Sequence, residues 1–219
     1  MRAWLYDQTF VGLTVGWYRE VLERLPRGAR LLDVGIGTGG ALVRNADLVR
    51  QRNLHVVGVD IDPVYLRRCR KLVAKAGLAR HVVPKLESIY DHHGGPYDAV
   101  YFSASFMLLP DPVGALRHAA HMLSPNGRFY FTQTIHTKRA PVMEKVKPML
   151  HRVTTIHFGR VTYEHELVEV VRRAGLQLHE WRNLGGGRDL RFCLAMATRP
   201  VRTVDEHAHE AVEPEAAVA

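Results

Sequence analysis

With 219 residues, 47% hydrophobic and 24% charged, the chain is long enough for one domain with a substantial core and close to the soluble globular average. No apolar run approaches the roughly 18 residues of a membrane span, MRAWLYDQTF has the build of neither a secretory leader nor a transit peptide, and Cys69 and Cys193 stand far apart, so the reading is a cytoplasmic protein with reduced thiols and no metal site. The net charge is +8, but the five acids of residues 203–219 belong to an Ala-rich tail expected to be disordered, and without them 30 Lys and Arg face 17 Asp and Glu, a basic body that suits an anionic partner or simply a solvated surface.

The first predicted element is a helix over Trp4–Leu25, with Val11, Val15, Tyr18, Leu22 and Leu25 spaced by alternating fours and threes and Pro26 ending the run. A short apolar strand, Arg30–Val34, runs into Gly35-Ile36-Gly37-Thr38-Gly39-Gly40, and a helix starts near Ala41. His55–Val59 is a second strand ending at Asp60. Pro63 then opens a helix whose apolar face is Tyr65, Cys69, Leu72, Val73 and Ala76, with Gly77 as its C-cap. His81–Pro84 and Tyr97–Phe102 read as further strands, Pro112–Leu123 as a helix, Ser124–Gly127 as a turn and Arg128–Ile135 as the fifth strand. A helix over Tyr163–Ala174 precedes strands at Leu176–Trp181 and Asp189–Thr198. The loop between them, with Asn183-Leu184-Gly185-Gly186-Gly187, is too short for anything but antiparallel pairing. The outline is α/β: a doubly wound, mostly parallel sheet ending in an antiparallel hairpin.

The glycine cluster carries the chemistry. A buried strand that turns sharply into a helix beside a ligand needs positive φ and bare backbone, and glycine supplies both. The spacing is ambiguous: Gly35-x-Gly37-x-x-Gly40 fits the dinucleotide fingerprint, and Gly35-x-Gly37-x-Gly39 fits adenosylmethionine binders. Asp33, two residues earlier, favours the second. Its carboxylate suits an ammonium group and would repel a pyrophosphate. Asp60, at the end of the next strand, suits ribose hydroxyls in either ligand.

Leu31–Gly39 resembles the first motif of the class I S-adenosylmethionine-dependent methyltransferases, and Val57-Gly58-Val59-Asp60-Ile61-Asp62 is similar to their second, acidic motif. Tyr97–Val100 and Leu123–Arg128 resemble their fourth strand and the turn into the fifth, all in the expected order. The resemblance implies a Rossmann-like seven-stranded sheet with a reversed last strand, and S-adenosyl-L-methionine as cofactor. Its methionine end would lie at Asp33, Gly35, Gly37 and Gly39, its ribose at Asp60 and Ile61. Tyr6, near the start of the first helix, is similar to the cofactor-closing aromatic of the ubiquinone-biosynthesis and small phospholipid N-methyltransferase type. The chain departs from the family where Lys85 stands in place of an adenine-side acid, which leaves Glu87 or the Leu86 backbone for that role.

Methyl transfer from a sulfonium needs alignment and dryness, and a base only where the acceptor loses a proton. Ligands of such sheets lie beyond the carboxyl ends of the strands, so Ser103, Ser105, Phe106 and His136 are acceptor-side candidates, with Ser103 also beside the cofactor and His136 the candidate base. No Asn-Pro-Pro-Tyr-like run follows the fourth strand, which counts against exocyclic amines of nucleic-acid bases. A small-molecule or lipid-like acceptor is expected, with peripheral contact to an anionic membrane considered because the first helix is aromatic and the body basic. An RNA methyltransferase, a nicotinamide-dependent oxidoreductase and a non-catalytic cofactor-binding protein stay as alternatives. The expected organisation is a cofactor-covering helix over 1–26, the Rossmann-like domain over 27–200 and the acidic tail over 201–219.

Overall fold

The computed structural model describes residues 2–138 and 162–200, with side chains from residue 12 onward. Strands β1 (Arg30–Val34), β2 (His55–Asp60), β3 (Val82–Leu86), β4 (Tyr97–Ser103), β5 (Leu123–His136), β6 (Gln177–Gly186) and β7 (Leu190–Thr198) form one sheet in the order β3-β2-β1-β4-β5-β7-β6. β7 is inserted between β5 and β6 and is antiparallel to both, while β1 to β5 pair in parallel. The strand order reverses between β1 and β4, which opens a crevice at their carboxyl ends.

The helices are α1 (Arg2–Leu22), α2 (Gly40–Val43), α3 (Ala46–Gln51), α4 (Pro63–Lys75), α5 (Pro112–His121) and α6 (Glu164–Arg173). Two apolar layers cover the sheet. Tyr18 and Leu22 of α1, with Leu42, Leu66 and Cys69, pack on the face carrying Leu31, Tyr101 and Tyr130. Leu116 of α5 and Leu167 of α6 pack on the face carrying Leu32, Phe102 and Phe131. α1 is held over the sheet by Trp17 against Phe192 and by Asn45 Nδ2 donating to Val15 O at 3.0 Å, and the turn after it by Arg24 paired with Glu180 at 3.3 Å.

The predicted order of elements holds, with local differences. α1 stops at Leu22, although Leu25 stays buried in the following turn. α4 buries Cys69 and Val73 as the spacing predicts, with Leu66 rather than Tyr65 buried at its start. The single helix from Ala41 is two short ones, α2 and α3. Pro84 lies inside β3, which tolerates it because β3 is an edge strand. Ser124–Gly127 is not a free turn but a bulge within β5: Leu123 faces Tyr97, and the next pair is Ala99 with Arg128. Asn183–Gly186, read as loop, extends β6, and the irregularity is absorbed at Gly185 and Gly186, whose φ values are +127° and +112°. The acidic tail lies outside the described residues.

Candidate active site

β1 runs into the loop Gly35-Ile36-Gly37-Thr38-Gly39 before α2 begins. Its three glycines take positive φ, +76°, +58° and +67°, which residues with a Cβ adopt only at a cost. Their surroundings differ. A Cβ on Gly35 would lie 2.5 Å from Ser105 Cβ, one on Gly39 2.7 Å from Cys69 Sγ, and one on Gly37 would meet nothing. Protein therefore packs against the two outer glycines, while the space over Gly37 is open. Ile36 points instead into β2, where a Cβ on Gly58 would overlap it. The hydroxyl of Ser105 donates to Val34 O and so joins the end of β4 to the start of the loop.

One carboxylate braces this loop, and a second stands in β1 just before it. Asp60 Oδ2 accepts from Gly37 N at 2.8 Å and Oδ1 from Asp62 N at 2.9 Å, and partial burial raises its pKa against the pull of those backbone donors. Each oxygen keeps accepting capacity for a further hydroxyl. Asp33 is fully buried behind the loop. Its Oδ2 accepts from the Tyr18 hydroxyl of α1 at 2.8 Å, and its Oδ1 has no partner among the described residues. Burial pushes this carboxyl up to about 7, with the Tyr18 hydrogen bond opposing the rise and the Asp60 charge adding to it. Tyr18, read from sequence as part of the apolar, aromatic face of the first helix, is thus the polar link between α1 and β1. Its ring also meets Tyr101 edge-on at 5.0 Å, and Tyr101 is hydrogen-bonded to Thr132 Oγ1 at 2.6 Å.

Beyond Asp60 the surface turns apolar. Ile61 is 76% exposed and Leu86, facing Asp60 at the end of β3, is 51% exposed. Glu87 follows, its N–H donating to Asp60 O at 3.2 Å and its carboxylate 2.6 Å from His92 Nδ1. Gly35, Gly37, Gly39, Asp60, Ile61, Leu86 and Glu87 therefore follow one another along the carboxyl ends of β1, β2 and β3, with Asp33 buried in β1. Ser103 closes β4 next to Thr132 of β5. His136 stands apart, four residues beyond Thr132 on β5, which is about 13 Å along an extended strand. Its ring packs against Tyr163 at 6.4 Å, and its N–H donates to Thr162 O at 3.0 Å. Tyr6 belongs to α1, but its side chain lies outside the described residues.

The methyltransferase-domain family matches residues 13–180. The chain belongs to that family. The ubiquinone biosynthesis O-methyltransferase of Xylella fastidiosa strain 9a5c is 29% identical over 178 residues, 74% of this chain and 70% of that protein. Among solved structures, the cyclase SpnF superposes with a TM-score of 0.70 at 21% identity, covering 90% of this chain and 84% of its own. The geranyl diphosphate C-methyltransferase of Streptomyces coelicolor A3(2), solved with Mg2+, geranyl diphosphate and S-adenosyl-L-homocysteine, gives 0.69 at 13% identity, covering 86% and 77%. At such identities these likenesses show the fold, and a cyclase among them means that the fold alone does not name the reaction. Family and fold together make this protein a class I S-adenosylmethionine-dependent methyltransferase, and the dinucleotide reading of Gly35–Gly40 falls away.

The methyltransferase's residues fit that cofactor. An unmet buried carboxylate oxygen suits a cationic group, because attraction through protein is far less damped than through water. Open space over Gly37 lets bare backbone approach a ligand. The exposed Ile61 and Leu86 present apolar surface of the kind an aromatic base covers. Among the described residues no helix is long and apolar enough to cross a membrane.

Proposed function

We propose that this methyltransferase methylates a hydroxyl of a small, largely apolar acceptor, and that Asp33, the Gly35–Gly39 loop, Asp60, Ile61, Leu86, Glu87 and Ser103 form its cofactor site. The relation to the ubiquinone-biosynthesis O-methyltransferase across three-quarters of the chain carries the acceptor class. When bound, the cofactor supplies a methyl group on a sulfonium, a good leaving group.

The chain's own work is placement. Asp33 attracts the ammonium end through the loop, Asp60 accepts from ribose hydroxyls, and Ile61 and Leu86 cover the base. α1, fastened to Asp33 through Tyr18 and to β7 through Trp17, covers the site and excludes water. Ser103 lies where β4 ends in the crevice. His136, farther out on β5, is assigned as the group that takes the hydroxyl proton. The exposed Arg67, Arg70, Lys71 and Lys75 of α4, with no acid between Pro63 and Arg80, support contact with an anionic membrane surface, which flotation with anionic against neutral vesicles tests.

The decisive experiment incubates the protein with methyl-labelled S-adenosylmethionine and separate pools of phenolic small molecules, amines, lipids and RNA. Label is expected on oxygen in the phenolic pool. Label confined to RNA or to amines would overturn the acceptor assignment.

A further inference from the structure

We propose that His92 is a positioning residue for cofactor recognition: its buried imidazole holds the Glu87 carboxylate so that one oxygen is presented to the exocyclic amine of the cofactor's adenine. This rests on the assignment of Glu87 to the base end of the site.

His92 is fully buried, yet both ring nitrogens are engaged. Nδ1 lies 2.6 Å from Glu87 Oε2, and Nε2 lies 2.9 Å from the hydroxyl of Tyr97, itself 2% exposed. A carboxylate only accepts, so Nδ1–H donates to Glu87, while Nε2 shares a hydrogen bond with the Tyr97 hydroxyl, which can donate or accept. The backbone is pinned as well, since His118 Nε2 donates to His92 O at 2.7 Å. Gly94 makes the arrangement fit: a Cβ there would lie 2.8 Å from the Tyr97 hydroxyl and 3.2 Å from His92 Nε2.

This chain of contacts runs from the core to the cofactor edge and ends on a half-exposed carboxylate. Glu87 is tied through its N–H to Asp60 and through Oε2 to His92, which leaves Oε1, 3.5 Å from Lys85 Nζ, to accept from a base amine. A glutamate free in solvent gives up rotamer freedom when it grips a ligand, and one already held by a buried donor loses less. Filling the space under Glu87 needs only an apolar side chain; a buried imidazole with both nitrogens matched orients what it touches.

The test is calorimetric, with S-adenosylhomocysteine and S-inosylhomocysteine, whose base carries a carbonyl in place of the amine, as probes. The wild type is expected to prefer the adenosine compound. His92→Leu should weaken that compound about tenfold and leave the inosine compound unchanged. His92→Asn, which keeps a donor near the Nδ1 position, should recover most of the loss. Tyr97→Phe, which keeps the ring and removes the hydroxyl, should reduce the preference severalfold, together with the lower melting temperature that a buried ring nitrogen left without its partner brings. Equal behaviour of the Leu and Asn variants, or equal loss of both compounds, overturns the positioning role. A wild type and a Glu87→Gln variant that both bind the two compounds alike reject the placement of Glu87 at the base itself.

Discussion

Replacing Asp33 with Asn separates the cost of this carboxylate from its use. Burial raises Asp33 from an ordinary 3.8 to about 7, so between those values the folded state holds a proton that the unfolded chain has released. The sign follows: this residue's contribution to stability falls as pH rises from about 4 to about 7, and the full penalty, about 4 kcal/mol at about 1.4 kcal/mol per pKa unit, applies above. Asn cannot ionise and keeps an oxygen for Tyr18, but it buries an unpaired amide at a cost of about 1–3 kcal/mol. Because the ionisation penalty is the larger of the two, the variant should be the more stable protein at pH 8.5 by about 1–3 kcal/mol. Its advantage should shrink by about 3 kcal/mol at pH 5, where wild-type Asp33 is protonated. Urea unfolding of both proteins at the two pH values measures the difference and cancels the titration of every other group. Calorimetry with S-adenosylhomocysteine should show binding weakened at least tenfold in the same variant. A stability difference that does not move between pH 5 and 8.5, or unaltered cofactor affinity, would refute the reasoning.

The glycine loop yields a paired prediction. Gly35→Ala meets both positive φ and Ser105, so unfolding should become easier by about 2–5 kcal/mol. Gly37→Ala meets only the backbone penalty, about 1–2 kcal/mol, yet should lower cofactor affinity at least tenfold; normal binding by a folded Gly37→Ala protein would place the cofactor elsewhere. Tyr18→Phe strips Asp33 of its donor and should cost about 1–3 kcal/mol at pH 8.5, visible as a lower melting temperature, with no change indicating that α1 is held by packing alone. With His136 taking the hydroxyl proton, His136→Gln should lower kcat about a hundredfold while cofactor binding is unchanged. An unaffected kcat removes it from the chemistry.

Much of the candidate site is legible in the amino-acid sequence because its requirements are local. Positive φ on a strand-to-helix turn calls for glycine whatever surrounds it, and a carboxylate at a strand end is placed by the strand, so Gly35, Gly37, Gly39, Asp33 and Asp60 stand out from their neighbours alone. The alternation of short apolar strands with helices in the same way announces the layered sheet, and a tight Gly-rich connection announces the antiparallel pairing of β6 and β7. Glu87 is half legible: its position after β3 marks it, while Lys85 in the place of the family's acid leaves its role open.

What the tertiary structure decided are meetings between residues that no local rule joins. Tyr18 looks like one more apolar turn of α1 until the sheet sets Asp33 against its hydroxyl, and Ser105 reaches Val34 from 71 positions away. His92, in a polar stretch rich in His and Gly, has its side-chain partners only five positions away on either side, but its full burial, with His118 of α5 bonded to its carbonyl, comes from the fold. Periodicity and glycine placement reflect forces acting within a few residues of chain. Which side chains then face one another depends on strand order and register, set by the packing of both faces of the sheet at once.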